Sequence, residues 1–162
     1  MPELPPRVVF DCNLFVQGIA NRNSPARKAL RLFFNGDISL FVSEPIIREV
    51  REVLNRAELR RKLSGINDRI LNAFLTKLEA KAILIANVPE EFHHERDPDD
   101  DMYLNLAIVS NATYLVSRDQ DLLDLMTTSP DIGRQFRSRY PFLRIMTAAG
   151  FITAIESASA AR

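Results

Sequence analysis

The stretch VVFDCN, residues 8–13, places three β-branched or aromatic residues directly before an acid. A short apolar run of this kind is typical of a buried strand, which would end where the acid begins. Similar runs predict four more strands, at residues 38–42, 82–86, 113–117 and 142–147. Helical stretches separate these runs, and strands that alternate with helices predict a parallel sheet covered on both faces. We therefore expect an α/β protein, a three-layer α/β/α sandwich with a central, mostly parallel sheet of about five strands.

Length and composition indicate one ordinary globular domain. The chain has 162 residues, of which 46% are hydrophobic and 26% charged, and its formal net charge is zero. No linker divides it, so we predict a single domain over residues 1–155 and a flexible tail over residues 156–162. No apolar run approaches the roughly 18–20 residues that cross a membrane, and no secretory signal is visible. The single cysteine agrees with a reducing compartment, so we expect a cytoplasmic protein without membrane contact.

Three acids are expected at one edge of the sheet. Asp11 ends the first strand, and Asp119 comes two residues after the run YLVS at 114–117. In parallel α/β sheets, ligands bind beyond the carboxyl ends of the strands, where the strand order reverses. In the helix predicted over residues 43–54, Glu49 lies at the border of the apolar stripe and can reach inward over the same edge.

The run RDPDDDMYLNLA, residues 96–107, adds a fourth acid. At helical spacing, Asp100 shares the inward, apolar face of the helix, whereas Asp99 and Asp101 point about 100° to either side. Two interpretations of this run stay open. It is either a solvated helix cap stabilised by the helix dipole or the binding site of a cation.

Four acids expected at one edge of the sheet favour the interpretation as a cation site. Close carboxylates repel one another, and at least one would have a raised pKa unless a cation neutralised them. Ligands that are all oxygens suit Mg²⁺ or Mn²⁺, and we expect one or two such ions. Asp101 or Asp97 could bind an outer water or a second ion. An EF-hand is excluded, because Met102 stands where that loop requires glycine.

The four motifs, in this order, resemble the PIN-domain family, which includes the VapC-type ribonuclease toxins of toxin–antitoxin pairs. They look closest to its branch of small stand-alone proteins that are labelled as toxin components. VVFDCN resembles the family's strand ending in Asp-Thr-Asn, and IIREVREVL resembles its second, Glu-containing motif. DPDDDMYLNLA carries the third acid, and LVSRD resembles the fourth motif, a strand followed by Thr/Ser-x-Asp. Cys12 occupies the usual Thr position, and a thiol donates a poorer hydrogen bond than a hydroxyl.

The resemblance implies a metal-dependent endoribonuclease, a toxin that a cognate antitoxin protein holds inactive. The implied catalytic and metal-binding residues are Asp11, Glu49, Asp100 and Asp119, with Asp101 as a further candidate ligand. Asn13 and Ser117 are expected to orient these ligands from the second layer around the ion. The alternative is a PIN-like module that keeps its acids but only binds RNA or a protein.

Contacts with partners are less defined by the sequence. Arg134, Arg137 and Arg139 are candidate phosphate contacts and Tyr140 is a candidate stacking platform for an RNA base, although a solvated loop with an aromatic anchor explains them equally well. The apolar faces of residues 43–54 and 57–81 could support a homodimer or antitoxin binding, and core packing explains them equally well.

Overall fold

The computed structural model describes residues 3–127 and 131–161. The strands are β1 (Arg7–Phe10), β2 (Ser39–Val42), β3 (Ile83–Leu84), β4 (Tyr114–Val116) and β5 (Arg144–Met146). The α-helices are α1 (Cys12–Ala20), α2 (Pro25–Phe34), α3 (Glu44–Leu54), α4 (Ala57–Lys62), α5 (Asp68–Lys81), α6 (Asp101–Val109), α7 (Gln120–Leu123), α8 (Asp131–Arg139) and α9 (Ala148–Ala160). Short 3-10 turns precede α6, at Pro98–Asp100, and follow α7, at Asp124–Met126.

The five strands form one sheet in the order β3-β2-β1-β4-β5, and every pairing is parallel. β1 is central, pairing Val8 with Leu40 of β2 and Val9 with Leu115 of β4. Val8, Val9 and Phe10 are at most 1% exposed, as a strand covered on both faces requires. The predicted α/β sandwich with a parallel sheet of five strands is confirmed.

Helices cover both faces of the sheet. α6 lies against β1, β2 and β4, while α9 contacts β4 and packs with α2, which packs in turn with α1. Phe151 of α9 joins these layers, because its ring centroid lies 6.1 Å from that of Phe10 and 5.3 Å from that of Tyr114. Both pairs have the edge-to-face arrangement that aromatic rings prefer. None of the described helices is long and apolar enough to cross a membrane.

The predicted boundaries differ most from the structure at β3 and at the end of the chain. β3 contains two residues rather than the five of 82–86, because it is an edge strand that pairs on one side and leaves Leu84 53% exposed. α9 extends to Ala160, so residues 156–160 are helical where a flexible tail was expected. Residue 162 of that tail lies outside the described residues, as do residues 1–2 and 128–130 of the predicted domain.

The strand order places the switch point of the sheet between β1 and β4. From β1 the chain moves to β2 and β3 on one side, and it later returns to β4 and β5 on the other. The carboxyl ends of β1 and β4 stay paired, because the Asp11 N–H donates to the carbonyl oxygen of Val116 at 3.0 Å. The end of β4 is tied in turn to β5, where the Ser117 N–H donates to the carbonyl oxygen of Met146 at 2.9 Å. Side chains that follow these strands therefore meet in one crevice.

Candidate metal centre

Asp11 stands at the carboxyl end of β1 and is fixed from the side of β4. The Ser117 hydroxyl donates a hydrogen bond of 2.6 Å to Oδ2 of Asp11, and its Oγ accepts one of 3.0 Å from the N–H of Asp119. Asp11 and Ser117 are both buried. The hydroxyl therefore orients a carboxylate that has little access to bulk water. Asn13, the other residue expected in this role, has an exposed side chain.

A 3-10 turn brings Asp100 to the same edge. Asp97 caps the turn, because its Oδ1 accepts a hydrogen bond of 3.1 Å from the N–H of Asp99. Asp100 ends the turn, is 5% exposed, and has an Oδ2 with no hydrogen-bond partner among the described residues. Buried polar atoms are nearly always satisfied in native proteins. This oxygen therefore marks a position where a cation or a water is expected.

Three carboxylates converge at this position. Within the described ranges, one oxygen from each of Asp97, Asp100 and Asp119 lies within 4.8 Å of the other two. Asp119 is also the N-cap of α7, and its Oδ1 accepts a hydrogen bond of 2.9 Å from the N–H of Asp121. The donors are all carboxylate oxygens, the ligands that Mg²⁺ and Mn²⁺ prefer over the sulfur and nitrogen ligands of softer metals. The residues present therefore fit a divalent cation.

Burial and mutual repulsion raise the pKa values of these acids. Burial raises the pKa of Asp100 from 3.8 to about 8, and the charges of Asp119, Asp97 and Asp11 add to the rise. Burial also raises the pKa of Asp11, although the hydrogen bond from Ser117 and the adjacent backbone amides oppose it. A divalent cation would oppose both causes, because it replaces the lost hydration and neutralises the repulsion. The fully ionised cluster is therefore favoured when a cation is bound.

Glu49 lies apart from this group of three. It is partly buried on α3, and its Oε2 accepts a hydrogen bond from the hydroxyl of Tyr103, which is 2% exposed. Cys12 is a neighbour: burial, followed by the charges of Glu49 and Asp11, raises the pKa of its thiol to about 12. The thiol is therefore protonated at neutral pH. Glu49 reaches the crevice near Cys12, outside the group that contains Asp100.

Asp101 points away from the three carboxylates. Its Oδ2 lies 2.6 Å from Nδ1 of His93, and its Oδ1 accepts a hydrogen bond of 2.7 Å from the N–H of His94. Both oxygens are thus engaged by the preceding loop. The structure does not place Asp101 among the candidate ligands, and Asp97, considered only for an outer water or a second ion, is in the group instead.

The loop that delivers Asp97 is fixed at several points. Its fully buried His94 has Nε2 at 2.9 Å from the backbone carbonyl oxygen of Asp121. Arg96 forms ion pairs with Asp121 and with Asp124, the latter at 2.9 Å. These contacts tie the loop to α7 and the turn after it, and they hold Asp97 beside Asp119.

The residues predicted to contact RNA have different environments. Tyr140 is 5% exposed, with its ring packed among core aromatic rings, so it cannot serve as a stacking platform. Arg137 donates a hydrogen bond of 2.7 Å to the carbonyl oxygen of Leu125 and so ties α8 to the preceding turn. Arg134 and Arg139 are exposed, and the guanidinium of Arg139 lies 5.2 Å from the centre of the Tyr140 ring. These two arginines stay available for phosphate contacts.

Sequence reasoning underestimated Asp97 and missed Tyr103. The Asp-Pro pair at residues 97–98 was an available signal, because an acid before proline is a common start of a helical turn. Such a cap faces the first N–H groups of the turn and lies close to the acid that ends the turn. Tyr103 lies at helical spacing on the same inward, apolar face as Asp100, and nothing in the sequence indicates that its hydroxyl reaches Glu49.

The parallel α/β fold and its acidic crevice are typical of a PIN domain. Residues 7–121 match the family model of the PIN domain, so the chain belongs to the PIN-domain family. PIN domains are in general metal-dependent nucleases. The chain is also similar to the Uncharacterized protein MJ1680 of Methanocaldococcus jannaschii, with 30% identity over 156 residues that cover 96% of each chain.

Proposed function

We propose that the protein is a Mg²⁺- or Mn²⁺-dependent endoribonuclease that hydrolyses RNA phosphodiester bonds. One observation carries the proposal: oxygens of Asp97, Asp100 and Asp119 lie within 4.8 Å of one another, beside a buried Asp100 oxygen with no partner among the described residues. Membership of a family of nucleases supports the same chemistry.

The acids of the crevice have two parts in the proposed reaction. Asp97, Asp100 and Asp119 would hold the divalent ion, with Asp11 at the base of the crevice, where the Ser117 hydroxyl fixes its carboxylate. Such an ion supplies Lewis-acid chemistry, polarising the phosphodiester and making water more acidic. Burial around Asp11 and Asp100 excludes bulk water, which strengthens the interaction of these carboxylates with a cation.

Charge supports a nucleic-acid substrate once the crevice holds a cation. Without the acids Asp11, Glu49, Asp100 and Asp119, the chain has 21 Lys and Arg residues against 17 acids, a formal excess of four positive charges. The rest of the molecule is therefore mildly basic, which favours approach to a polyanion. Exposed Arg134 and Arg139 are the proposed phosphate contacts.

Cleavage of a labelled single-stranded RNA tests the function. We expect cleavage by the purified protein with Mg²⁺ or Mn²⁺ and none after addition of EDTA, because the carboxylates cannot act without the ion. DNA of the same sequence is the substrate control. Binding of RNA without cleavage, at any concentration of either metal, would favour the alternative of a silent binding module and reject the nuclease.

We further propose that this ribonuclease is the toxin of a toxin–antitoxin pair. The resemblance of its motifs to VapC-type toxins supports this, and a groove of about 790 Å³ offers a surface for a partner. Arg22, Arg31 and Lys62 line the groove together with Phe34 and Phe74, and no acid is among the described residues that line it. An acidic, amphipathic antitoxin segment suits such a surface. A homodimer stays a prediction.

Growth of a bacterial host tests the toxin role. Expression of the wild-type chain should arrest growth, and co-expression of a small protein encoded beside it should restore growth. A chain carrying Asp100→Asn should be harmless at the same expression level. Equal growth with both chains would contradict the toxin role, and the result of the cleavage assay would still decide whether the protein is a nuclease.

A further inference from the structure

Glu49 is a carboxylate near the site that does not belong to the group of Asp97, Asp100 and Asp119. Glu49 lines a cleft of about 920 Å³ together with Pro98 and Asp99, so its carboxylate can be reached from solvent. The hydroxyl of Tyr103 donates to Oε2 of this carboxylate from the protein interior. Among the described residues, no other hydrogen bond to Glu49 is formed, which leaves Oε1 without a protein partner.

The position of Tyr103 joins the two parts of the site. It lies on the first turn of α6, three residues after Asp100, so a single short segment carries both a ligand of the group of three and the donor to Glu49. Tyr103 also lies near Asp11 and Cys12, because the charges of Asp11, Cys12 and Glu49 all contribute to raising the pKa of its hydroxyl. The main cause of that rise is burial. The Tyr103 hydroxyl is therefore an interior group that lies between α3 and α6 and contacts Glu49.

We propose that Tyr103 is a positioning residue, whose hydroxyl holds the Glu49 carboxylate over the crevice as a further acid of the metal site. This inference rests on the proposed function, because it gives Glu49 a role toward the same divalent ion. Without the hydroxyl, the partly exposed Glu49 side chain is free to turn into the solvent of the cleft, as the neighbouring, exposed Glu52 does. The hydroxyl of Tyr103 thus fixes one oxygen of Glu49, and the other oxygen is left to bind a ligand.

Tyr103→Phe tests this role, because it removes only the hydroxyl and keeps the ring in the core. We expect the dissociation constant for Mn²⁺, measured by titration calorimetry, to rise about 10-fold, the scale on which a partner behind a metal ligand acts. RNA cleavage should fall by a similar factor and should recover partly at high Mn²⁺. Tyr114→Phe is the matched control: Tyr114 is a buried tyrosine of β4, and its variant should bind Mn²⁺ as the wild type does.

A double-mutant cycle separates positioning from structural support. In a chain carrying Glu49→Gln, the further change Tyr103→Phe should leave Mn²⁺ binding unchanged, because the hydroxyl acts through the Glu49 carboxylate. The same loss in both backgrounds would show a structural role and overturn the inference.

Should Tyr103→Phe fail to fold, Glu49→Asp provides the second test. It shortens the side chain out of reach of the hydroxyl, and unchanged Mn²⁺ binding in that variant would equally overturn the inference.

The two proposals fail in different ways. Mn²⁺ binding that depends on Tyr103, in a wild-type protein that cleaves no RNA, would reject the nuclease and retain the positioning role. Cleavage and Mn²⁺ binding that are unaffected by Tyr103→Phe would retain the nuclease and reject the positioning role. A wild-type protein that does not bind Mn²⁺ would reject both.

Discussion

Replacing Asp100 by asparagine is expected to abolish metal-dependent cleavage while making the metal-free protein more stable. The two effects have one cause. Asp100 is buried in a group of carboxylates, and burial with repulsion raises its pKa to about 8. The neutral amide removes the cost of that buried acid, and about 1.4 kcal/mol accompanies each tenfold change in proton affinity. A stabilisation of a few kcal/mol is therefore expected, together with a loss of cleavage of at least about 100-fold.

Thermal unfolding in EDTA and cleavage rates in Mn²⁺ measure these two effects in one pair of proteins. Asp99→Asn is the matched control, because Asp99 is the adjacent residue of the same turn, has the same side chain and is exposed. We expect that variant to unfold and cleave as the wild type does. Full activity in Asp100→Asn, or a lower melting temperature in EDTA, would show that Asp100 is an ordinary helix cap.

The stability of the metal-free protein is expected to fall as the pH rises from about 4 to about 8. The folded-state pKa of Asp100, about 8, lies above its ordinary value of 3.8, so the folded protein binds more protons than the unfolded chain between these values. The free energy of unfolding then decreases with increasing pH. Asp11, whose pKa is also raised, acts in the same direction.

A divalent ion should weaken this dependence. Mn²⁺ competes with protons for the same oxygens, so its stabilising effect should grow with pH. At about 100 times its dissociation constant, an ion that binds only the folded state stabilises it by about 2.7 kcal/mol. Melting temperatures at about pH 5 and about pH 8, with Mn²⁺ and with EDTA, provide the measurement. If Mn²⁺ raises the melting temperature equally at both pH values, the competition between Mn²⁺ and protons is contradicted. The variant Asp100→Asn should lose most of the pH dependence of the stability.

The fold could be predicted from the sequence because its strands are buried on both faces. A strand such as β1 must be a short apolar run, and the helices between such runs fix the parallel order. The two-residue β3 could not be delimited in the same way. Its length depends on pairing with β2 alone, and the apolar run around it continues into exposed residues.

The acids of the candidate site could be predicted where they lie next to a strand or a helix. Asp11 follows β1, and helical spacing correctly directed Asp100 inward and Asp99 outward. Helical spacing gave no position for Asp97, because this residue precedes the turn of residues 98–100 and caps it. Spacing directed Asp101 to one side, but it could not show that the loop of His93 and His94 engages both of its carboxylate oxygens.

The remaining differences between the sequence predictions and the structure arise from tertiary packing. Basic and aromatic residues alternate around α8, and this pattern fits an RNA-binding segment. The pattern cannot distinguish an exposed ring from a ring that anchors the helix, and Tyr140 proved to be an anchor. Tyr103 is the opposite case, because its hydroxyl becomes meaningful only once α3 and α6 are packed together.

Anomalous diffraction from a crystal soaked in Mn²⁺ tests the central assignment most directly. The assignment predicts an anomalous peak in the crevice between β1 and β4, within about 2.0–2.6 Å of oxygens from Asp97, Asp100 and Asp119. A well-ordered crystal with full Mn²⁺ exposure and no peak at these carboxylates would contradict it, as would a peak bound only by other residues.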